Sequence, residues 1–211
     1  MGESRFALIT GPPGVGKTTL IKKLYELCKP AVGFYTEEVR GLNGLRQGFD
    51  IISLEDESSR KPLARESSTQ RGPKVGKYTV QIPEFESVAI PCLDKAQSCH
   101  DEIIIIDEIG NLDFFRYIDN LIYTIPNIYN KWNIIYFSGK MELLSSKFES
   151  QITTLFENSP SNIIATIPIS KGKPIPVVES IRKNKNSKVF EVTKSNRDSI
   201  ENVIMTYIRV G

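Results

Sequence analysis

A glycine-rich segment near the start of the chain has the residue types and spacing needed to hold a phosphate chain. Residues 11–18 read GPPGVGKT, which satisfies the pattern GxxxxGK[ST] between a predicted strand and a predicted helix. Its glycines let successive backbone amides point at phosphate oxygens, and the dipole of the following helix favours their negative charge. We expect Lys17 to reach the β- and γ-phosphates and the Thr18 hydroxyl to bind Mg2+. A glycine turn before an amphipathic helix would need neither side chain, so the pattern favours a P-loop.

Two adjacent acids, Asp107 and Glu108, follow an apolar run of four isoleucines at residues 103–106. A run of this kind is typical of a central strand covered on both faces, and doubly wound sheets bind ligands at the carboxyl ends of their strands. We expect Asp107 to hold Mg2+, directly or through water, and Glu108 to orient and deprotonate the water that attacks the γ-phosphate. The alternative is a capping or solvated acid pair, which the preceding P-loop disfavours.

Three further side chains are candidates for contact with the reacting phosphate. Thr166 follows a short apolar strand. It either offers its hydroxyl to the γ-phosphate or the attacking water, or completes the strand as a β-branched residue. Arg40, and with weaker support Arg46, is a candidate arginine finger supplied by the chain itself, which would neutralise charge in the transition state. A surface salt bridge from Arg40 to Glu37 or Glu38 is an equal alternative.

Asn196 lies in a segment, TKSNR at residues 193–197, that is a candidate for contact with the base of a nucleotide. The segment is partly similar to the guanine-reading pattern [NT]KxD, but Asn196 stands where that pattern has an acid. Without a carboxylate to pair with the N1 and N2 hydrogens of guanine, strict guanine selection is not expected. The alternative is that Asn196 caps the final helix.

The alternation of strands and helices predicts how these groups are brought together. It indicates an α/β fold, a mostly parallel sheet flanked by helices, within a single domain over residues 1–211. A hairpin-type turn at Gly41, Asn43 and Gly44 adds an antiparallel extension, and polar residues 55–74 are predicted to be an exposed loop. The predicted strands are 6–10, 32–40, 47–54, 75–82, 103–107, 162–167 and 188–192, and the predicted helices are 18–28, 83–96, 176–183 and 195–208.

Composition excludes several classes of protein. Hydrophobic residues make up 40% and charged residues 25% of the 211 residues, which is typical of a globular chain. The net charge of +2 is far from that of an obligate nucleic-acid binder, so no nucleic-acid partner is established. The three cysteines form neither a disulfide framework nor a zinc pattern. Without a signal peptide or an apolar run of roughly 20 residues, we expect a cytoplasmic or nuclear monomer that does not bind membranes.

Eight segments in order resemble the cancer-related nucleoside-triphosphatase family over nearly the whole chain. They are GPPGVGKT (11–18), GFYTEEVR (33–40), RQGFD (46–50), VGKY (75–78), DEIG (107–110), ATIP (165–168) followed by KGKP (171–174), and VTKSNR (192–197). The first is shared by many families, but the second and the combination of DEIG with ATIP are far more specific. The resemblance implies a RecA-like P-loop fold and slow, Mg2+-dependent hydrolysis of several nucleoside triphosphates, ATP, GTP, CTP and UTP, to diphosphate and phosphate.

The resemblance and the residue patterns together assign roles to the candidate site. Lys17, Glu108, Thr166 and Arg40 are the expected catalytic residues, and Thr18 and Asp107 the expected metal ligands. The expected nucleotide-binding residues are Gly11, Pro12, Pro13, Gly14, Val15, Gly16, Lys17, Thr18, Thr19, Ile106, Asp107, Glu108, Ile109, Gly110 and Asn196. The predicted mechanism is in-line attack of water on the γ-phosphate. Two alternatives stay open: a P-loop kinase for a nucleoside or an RNA end, and a GTP-dependent switch.

Residues 111–139 depart from the family pattern. The family reads DEIGKMEL without interruption, whereas here DEIG is separated from KMEL at 140–143. The segment is rich in residues that AT-rich codons encode, and its edges fit intron boundaries, GTAATTT at the start and TATTTTTCAG at the end. We hypothesise a retained, in-frame intron, with a true insertion as the alternative. A segment never selected to pack is expected to leave Phe114, Phe115, Ile118, Leu121, Ile122 and Trp132 partly exposed.

Overall fold

The elements of the protein are those of a computed structural model that describes residues 4–66, 69, 71–100, 102–109, 144–169 and 174–209. Its strands are β1 (Phe6–Thr10), β2 (Ala31–Arg40), β3 (Arg46–Ser53), β4 (Lys61–Glu66), β5 (Lys74–Val75), β6 (Tyr78–Val80), β7 (Ile103–Ile106), β8 (Ile163–Thr166) and β9 (Ser187–Glu191). Its helices are α1 (Lys17–Cys28), α2 (Ile82–Ser98), α3 (Ser146–Asn158), α4 (Pro176–Lys183) and α5 (Ile200–Arg209).

The strands form one sheet in the order β5-β6-β4-β3-β2-β7-β8-β1-β9. The five strands from β2 to β9 in this order run parallel, and β3, β4, β6 and β5 extend the sheet with antiparallel pairs. The predicted α/β fold with an antiparallel extension is therefore confirmed. Because parallel strands end at the same edge, the segments that follow β1, β7 and β8 meet there.

Apolar side chains cover both faces of the sheet. On one face α2, α3 and α4 pack against the strands, and the rings of Phe85 and Phe148 meet edge to face with centroids 5.0 Å apart. On the other face α1 and α5 pack around buried Leu24, Ile105 and Ile204. Burying one side chain of this size stabilises the fold by roughly 1.5–3 kcal/mol, so the central strands form a rigid base for the loops at their ends.

The prediction of an exposed loop over residues 55–74 is wrong where β4 lies. This strand pairs with β3 and β6 and buries Leu63 and Ala64. Its sequence has little apolar alternation, and Pro62 argues locally against a strand, but Pro62 lies opposite Asp50 where the β3–β4 register shifts. Proline is tolerated in a sheet at such an irregularity, and the two neighbouring strands supply the pairing that the local pattern does not show.

Other element boundaries also differ from the predictions. The single strand predicted over residues 75–82 is divided by a turn at Gly76, where φ is +59°, into the antiparallel pair β5 and β6. The last helix begins at Ile200 and not at Ser195, since residues 194–199 form turns. Helix α3 had not been predicted. Its start is capped by the Ser145 hydroxyl, which accepts a hydrogen bond from the Phe148 N–H at 3.0 Å.

Several predictions fall on residues outside the described ranges. They include Gly110 and the atypical segment 111–139, so the intron hypothesis and the single-domain assignment stay predictions. Within the helices that the structure does describe, none has the length and apolarity required to cross a membrane.

Candidate active site

The P-loop connects the end of β1 to the start of α1. Gly14 and Gly16 have φ angles of +68° and +109°, in the region that favours glycine, and Gly16 caps the first turn of the helix. The Lys17 ammonium donates to the Gly11 carbonyl at 3.0 Å, which keeps this cation at the loop. The backbone amides and the positive end of α1 favour anions at this position, and anion binding by the loop stays a prediction.

Asp107 is the centre of a buried hydrogen-bond cluster beside the P-loop. The Thr18 hydroxyl donates to Asp107 Oδ2 at 2.9 Å, and the Thr166 hydroxyl donates to Oδ1 at 2.6 Å. A third donor is the backbone N–H of Thr36, within β2. Three candidate residues far apart in the sequence, Thr18, Asp107 and Thr166, are therefore in direct contact.

The electrostatic state of Asp107 follows from its burial and its donors. Its side chain is only 1% exposed, and this burial raises the pKa of Asp107, because the charged form loses its hydration. Hydrogen bonds from Thr166 and Thr18 and the charge of Lys17 act in the opposite direction and favour the carboxylate. These opposing effects are typical of a carboxylate at a functional site.

Glu108 follows directly at the same edge of the sheet and is also buried, with 7% exposure. The chain beyond it stays attached to the sheet, because the Ile109 N–H donates to the Thr166 carbonyl at 2.9 Å. Two adjacent buried acids thus follow β7, and Asp107 contacts Thr18 of the P-loop. The pair has the composition needed for one acid to hold a cation and the other to accept a proton.

Arg40 and Arg46 lie at the β2–β3 hairpin. Both guanidinium groups pair with Glu38, and Arg40 also donates to the Gly44 carbonyl at 2.8 Å. The Arg40 side chain is 61% exposed. The structure therefore contains the surface salt bridge that was the alternative to an arginine finger, and the finger role of Arg40 stays a prediction.

Asn196 shapes the loop that follows β9. Its amide oxygen accepts from the Thr193 N–H at 2.8 Å, and its amide nitrogen donates to the Glu191 carbonyl at 2.9 Å. The Val192 N–H, in turn, donates to the Thr10 carbonyl at 2.7 Å, which attaches this loop to the strand before the P-loop. Asn196 thus lies in a loop attached to β1, with its side chain hydrogen-bonded to the backbone of its own loop, and its contact with a base stays a prediction.

The sequence reasoning missed two contributions to the site. A backbone donor such as Thr36 has no side-chain signature, and only the parallel pairing of β2 with β7, which ends with Phe34 opposite Ile106, brings it close to Asp107. The second is Lys22, which pairs with Glu37 at 2.6 Å one helical turn after Thr18. The acids Glu37 and Glu38 in GFYTEEVR suggested that cationic side chains lie nearby. The partner of Glu37 is Lys22 on α1, and no local sequence pattern connects this helix with the strand.

Comparison with known proteins identifies the family of this chain. A model of the NTPase family matches residues 7–135 and 133–205. The chain belongs to the NTPase family. Similar relatives include the cancer-related nucleoside-triphosphatase of Homo sapiens, 37% identical over 98% of this chain and 97% of the relative. The nucleoside-triphosphatase THEP1 of Thermotoga maritima is 38% identical over 96% of this chain and 94% of the relative.

Two solved structures of the NTPase family share the fold over nearly the whole chain. THEP1 from Aquifex aeolicus has a TM-score of 0.73 at 35% identity and covers 97% of this chain and 99% of its own. A human cancer-related nucleoside triphosphatase has a TM-score of 0.72 at 37% identity and covers 98% of each chain. The P-loop fold and the family predicted from the sequence are thus confirmed, and the chain is a nucleoside-triphosphatase by family.

Proposed function

We propose that this chain hydrolyses nucleoside triphosphates, ATP, GTP, CTP and UTP, to the diphosphate and phosphate in a Mg2+-dependent reaction. The observation that carries the proposal is the contact of Thr18 and Thr166 with the two oxygens of Asp107, at 2.9 and 2.6 Å, directly beside the P-loop. A nucleotide held by the P-loop would have its terminal phosphates at this cluster. Family membership supports the same reaction class.

The residues present fit a hard cation such as Mg2+. The Thr18 hydroxyl and the Asp107 carboxylate are oxygen ligands, and Mg2+ in nucleotide sites is bound by one or two carboxylates together with substrate phosphates and water. Among the described residues no group of three or more His, Cys, Asp or Glu side chains could hold a metal ion by itself, which agrees with a cation shared with the nucleotide. When bound, Mg2+ neutralises charge on the β- and γ-phosphates.

The protein side chains supply the remaining chemistry. Glu108 orients the attacking water and takes its proton as the new bond from the water oxygen to the γ-phosphorus forms. The bond from that phosphorus to the β,γ-bridging oxygen breaks, and the diphosphate leaves with the electron pair. Lys17 stabilises the charge that grows on the bridging oxygen. Arg40 is proposed as a further cation for this charge, on its sequence position alone.

Broad base specificity is part of the proposal. Each polar atom of the Asn196 amide already makes one hydrogen bond to the backbone of the β9 loop, which fixes the orientation of this side chain and leaves it one donor and one acceptor for a base, a pair that does not select a single base. A site that rejects wrong bases strongly needs dedicated hydrogen-bonding groups. We therefore expect rates that differ little among the four triphosphates.

The test is phosphate release from the four triphosphates by the wild type, Glu108→Gln and Lys17→Ala. Glu108→Gln should keep nucleotide affinity within a few fold and slow the chemical step by at least about 100-fold, the scale of general-base loss. Lys17→Ala should abolish turnover and weaken triphosphate binding, because it removes the cation at the developing charge. Lys23→Ala is the matched control on the same helix, since Lys23 pairs with Glu201 on α5.

Four results would contradict parts of this proposal. Unchanged hydrolysis by Lys17→Ala would remove the P-loop from the mechanism, and an equal loss of binding in Glu108→Gln would make Glu108 a metal ligand. Turnover that requires an added nucleoside or RNA end would favour the kinase alternative. A marked preference for GTP would favour the switch alternative and contradict broad specificity.

A further inference from the structure

Helix α1 presents two polar side chains on one face, one helical turn apart. Thr18 and Lys22 are separated by four residues, the spacing at which side chains of a helix are neighbours. Thr18 binds Asp107 beyond the end of β7, and Lys22 binds Glu37 in β2 at 2.6 Å. Strands β2 and β7 are adjacent and parallel. One face of α1 therefore contacts both, through Glu37 in β2 and through Asp107 directly after β7.

The Lys22–Glu37 pair is held from several sides. The Lys22 ammonium also lies 4.6 Å from the centroid of the Tyr35 ring. The second Glu37 oxygen accepts from Arg60 at 2.7 Å, and Arg60 in turn donates to Asp50 at 2.6 Å. Hydrogen bonding to Lys22 and to Arg60 lowers the pKa of Glu37, so its carboxylate stays charged at neutral pH.

The contacts among Lys22, Glu37, Thr36, Asp107 and Thr18 form a closed ring that includes Asp107, the expected metal ligand. Glu37 follows Thr36 directly, and the Thr36 N–H donates to the Asp107 carboxylate. The Thr18 hydroxyl of α1 donates to Asp107. Four residues further along the same helix, Lys22 donates to Glu37, which closes the ring. The position of the Thr36 amide relative to Asp107 therefore depends on how firmly this part of β2 is held against α1.

We propose that Lys22 and Glu37 are positioning residues for Asp107. Their ion pair holds the middle of β2 against the P-loop helix, so that the Thr36 N–H stays directed at the carboxylate. The aligned carboxylate then binds the cation of the proposed Mg2+–nucleotide substrate. This inference rests on the proposed function for its Mg2+-dependent part, whereas the ring of contacts itself belongs to the protein without ligand.

The competing explanation is an ion pair that contributes only to stability. The Lys22 and Glu37 side chains are 44% and 33% exposed, and exposed pairs have little effect by themselves. Lys23 supplies a matched control, because it follows Lys22 on α1 and pairs with Glu201 of α5 at 3.4 Å, with 48% and 22% exposure. A purely stabilising role predicts that the two lysines behave alike.

The experiment compares Lys22→Gln, Glu37→Gln, the double variant, Lys22→Arg and Lys23→Gln. Affinity for a non-hydrolysable triphosphate is measured with Mg2+ and with a chelator, and the ratio of the two affinities is the gain due to the cation. Amide hydrogen exchange of Thr36 is measured without nucleotide, and thermal unfolding checks the fold.

Lys22→Gln and Glu37→Gln should each reduce the Mg2+-dependent gain about 10-fold, the lower scale for loss of an outer partner of a metal ligand. Both should also speed Thr36 exchange. The double variant should lose no more than Glu37→Gln, because the two residues act through one contact. Lys22→Arg keeps the cation and should retain the gain, and Lys23→Gln should leave both readouts unchanged.

The proposal is overturned if Lys22→Gln and Lys23→Gln show the same Mg2+-dependent gain in affinity and the same rate of Thr36 amide exchange, whatever the melting temperature of Lys22→Gln. It is also overturned if the wild-type affinity does not respond to Mg2+. A wild type that binds triphosphate in a Mg2+-dependent way but releases no phosphate would contradict only the proposed hydrolysis, and the variants would still decide the role of Lys22 and Glu37.

Discussion

The hydroxyl of Thr166 donates a hydrogen bond to the Asp107 carboxylate at 2.6 Å, and the Thr166 side chain is fully buried. A hydrogen bond to a charged group is stronger than one between neutral groups, and leaving a buried carboxylate without its donor costs roughly 1–3 kcal/mol or more. Thr166 therefore has a structural reason to act through Asp107. Contact of the same hydroxyl with the γ-phosphate or the attacking water, the role expected from the sequence, stays a prediction.

Replacement of Thr166 distinguishes these two roles. Thr166→Val removes the hydroxyl at nearly constant shape, and we expect about 10-fold weaker Mg2+-dependent binding of a non-hydrolysable triphosphate, since Asp107 loses an orienting donor. Thr166→Ser keeps the hydroxyl and should restore most of this affinity. If Thr166→Val lowers kcat alone and leaves the Mg2+ dependence of binding unchanged, the hydroxyl acts on the phosphate or the water and not through Asp107.

At the scale of elements, the two chain ends that flank residues 110–143 are each anchored in the described fold. Before this segment, Ile109 is fully buried and bound to the Thr166 carbonyl. After it, the Ser145 hydroxyl caps α3 and donates to Glu86 of α2 at 2.6 Å. Strand β7 and helix α3 are thus held by partners outside the intervening segment.

Deletion of residues 111–139 joins Gly110 to Lys140 and restores the continuous DEIGKMEL of the family pattern. We expect the shortened chain to be more soluble and to retain or increase hydrolysis, because its flanks keep their contacts and apolar residues that promote aggregation are removed. Soluble yield and phosphate release are the measurements. A shortened chain that unfolds would make the segment an integral element, and a dominant transcript carrying its codons would contradict the intron hypothesis.

At the scale of the whole molecule, the three cysteines are distributed over the two apolar layers that cover the faces of the sheet. Cys28 belongs to the layer of α1 and α5, whereas Cys92 and Cys99 belong to the layer of α2. Burial raises the pKa of each thiol, to about 11 for Cys28. The thiolate is the reactive form of cysteine. Burial limits access of reagents to the three thiols and the raised pKa lowers the fraction of thiolate, so both effects reduce their reactivity.

We expect the native protein to react slowly with a maleimide at neutral pH at all three cysteines. With a pKa of about 11 against an ordinary 9.0, the Cys28 thiolate is roughly 100-fold scarcer than that of an ordinary thiol. All three should react quickly in denaturant. Mass spectrometry after timed labelling measures this, and rapid modification of one cysteine under native conditions would show that its layer opens locally.

The same shift predicts a loss of stability in alkali. Between pH 9.0 and about 11 the unfolded chain ionises Cys28 while the folded protein keeps the proton. The folded state then binds more protons, so the free energy of unfolding falls as pH rises through this window. Denaturant unfolding at several pH values measures the effect. Cys28→Ser should show a shallower decline, and an identical decline would assign it to other groups.

The sequence alone determined the parts of this protein whose chemistry is local. GPPGVGKT specifies a P-loop because its glycines, lysine and threonine act within one turn between β1 and α1. The run of isoleucines before Asp107 indicated a central strand, because such a run is typical of a strand covered on both faces. Specific motifs spread along the chain also indicated the family, which the comparisons confirmed.

Tertiary structure decided the features that depend on partners distant in the sequence. Strand β4 exists because β3 and β6 flank it, although its own residues read as a loop. The contacts of Thr36 and Thr166 with Asp107 connect the three neighbouring strands β2, β7 and β8, and the pairing of Lys22 with Glu37 connects α1 to β2. Residue patterns report which side chains one element buries, whereas the distance between two elements is set only when the sheet orders its strands and the helices pack against it.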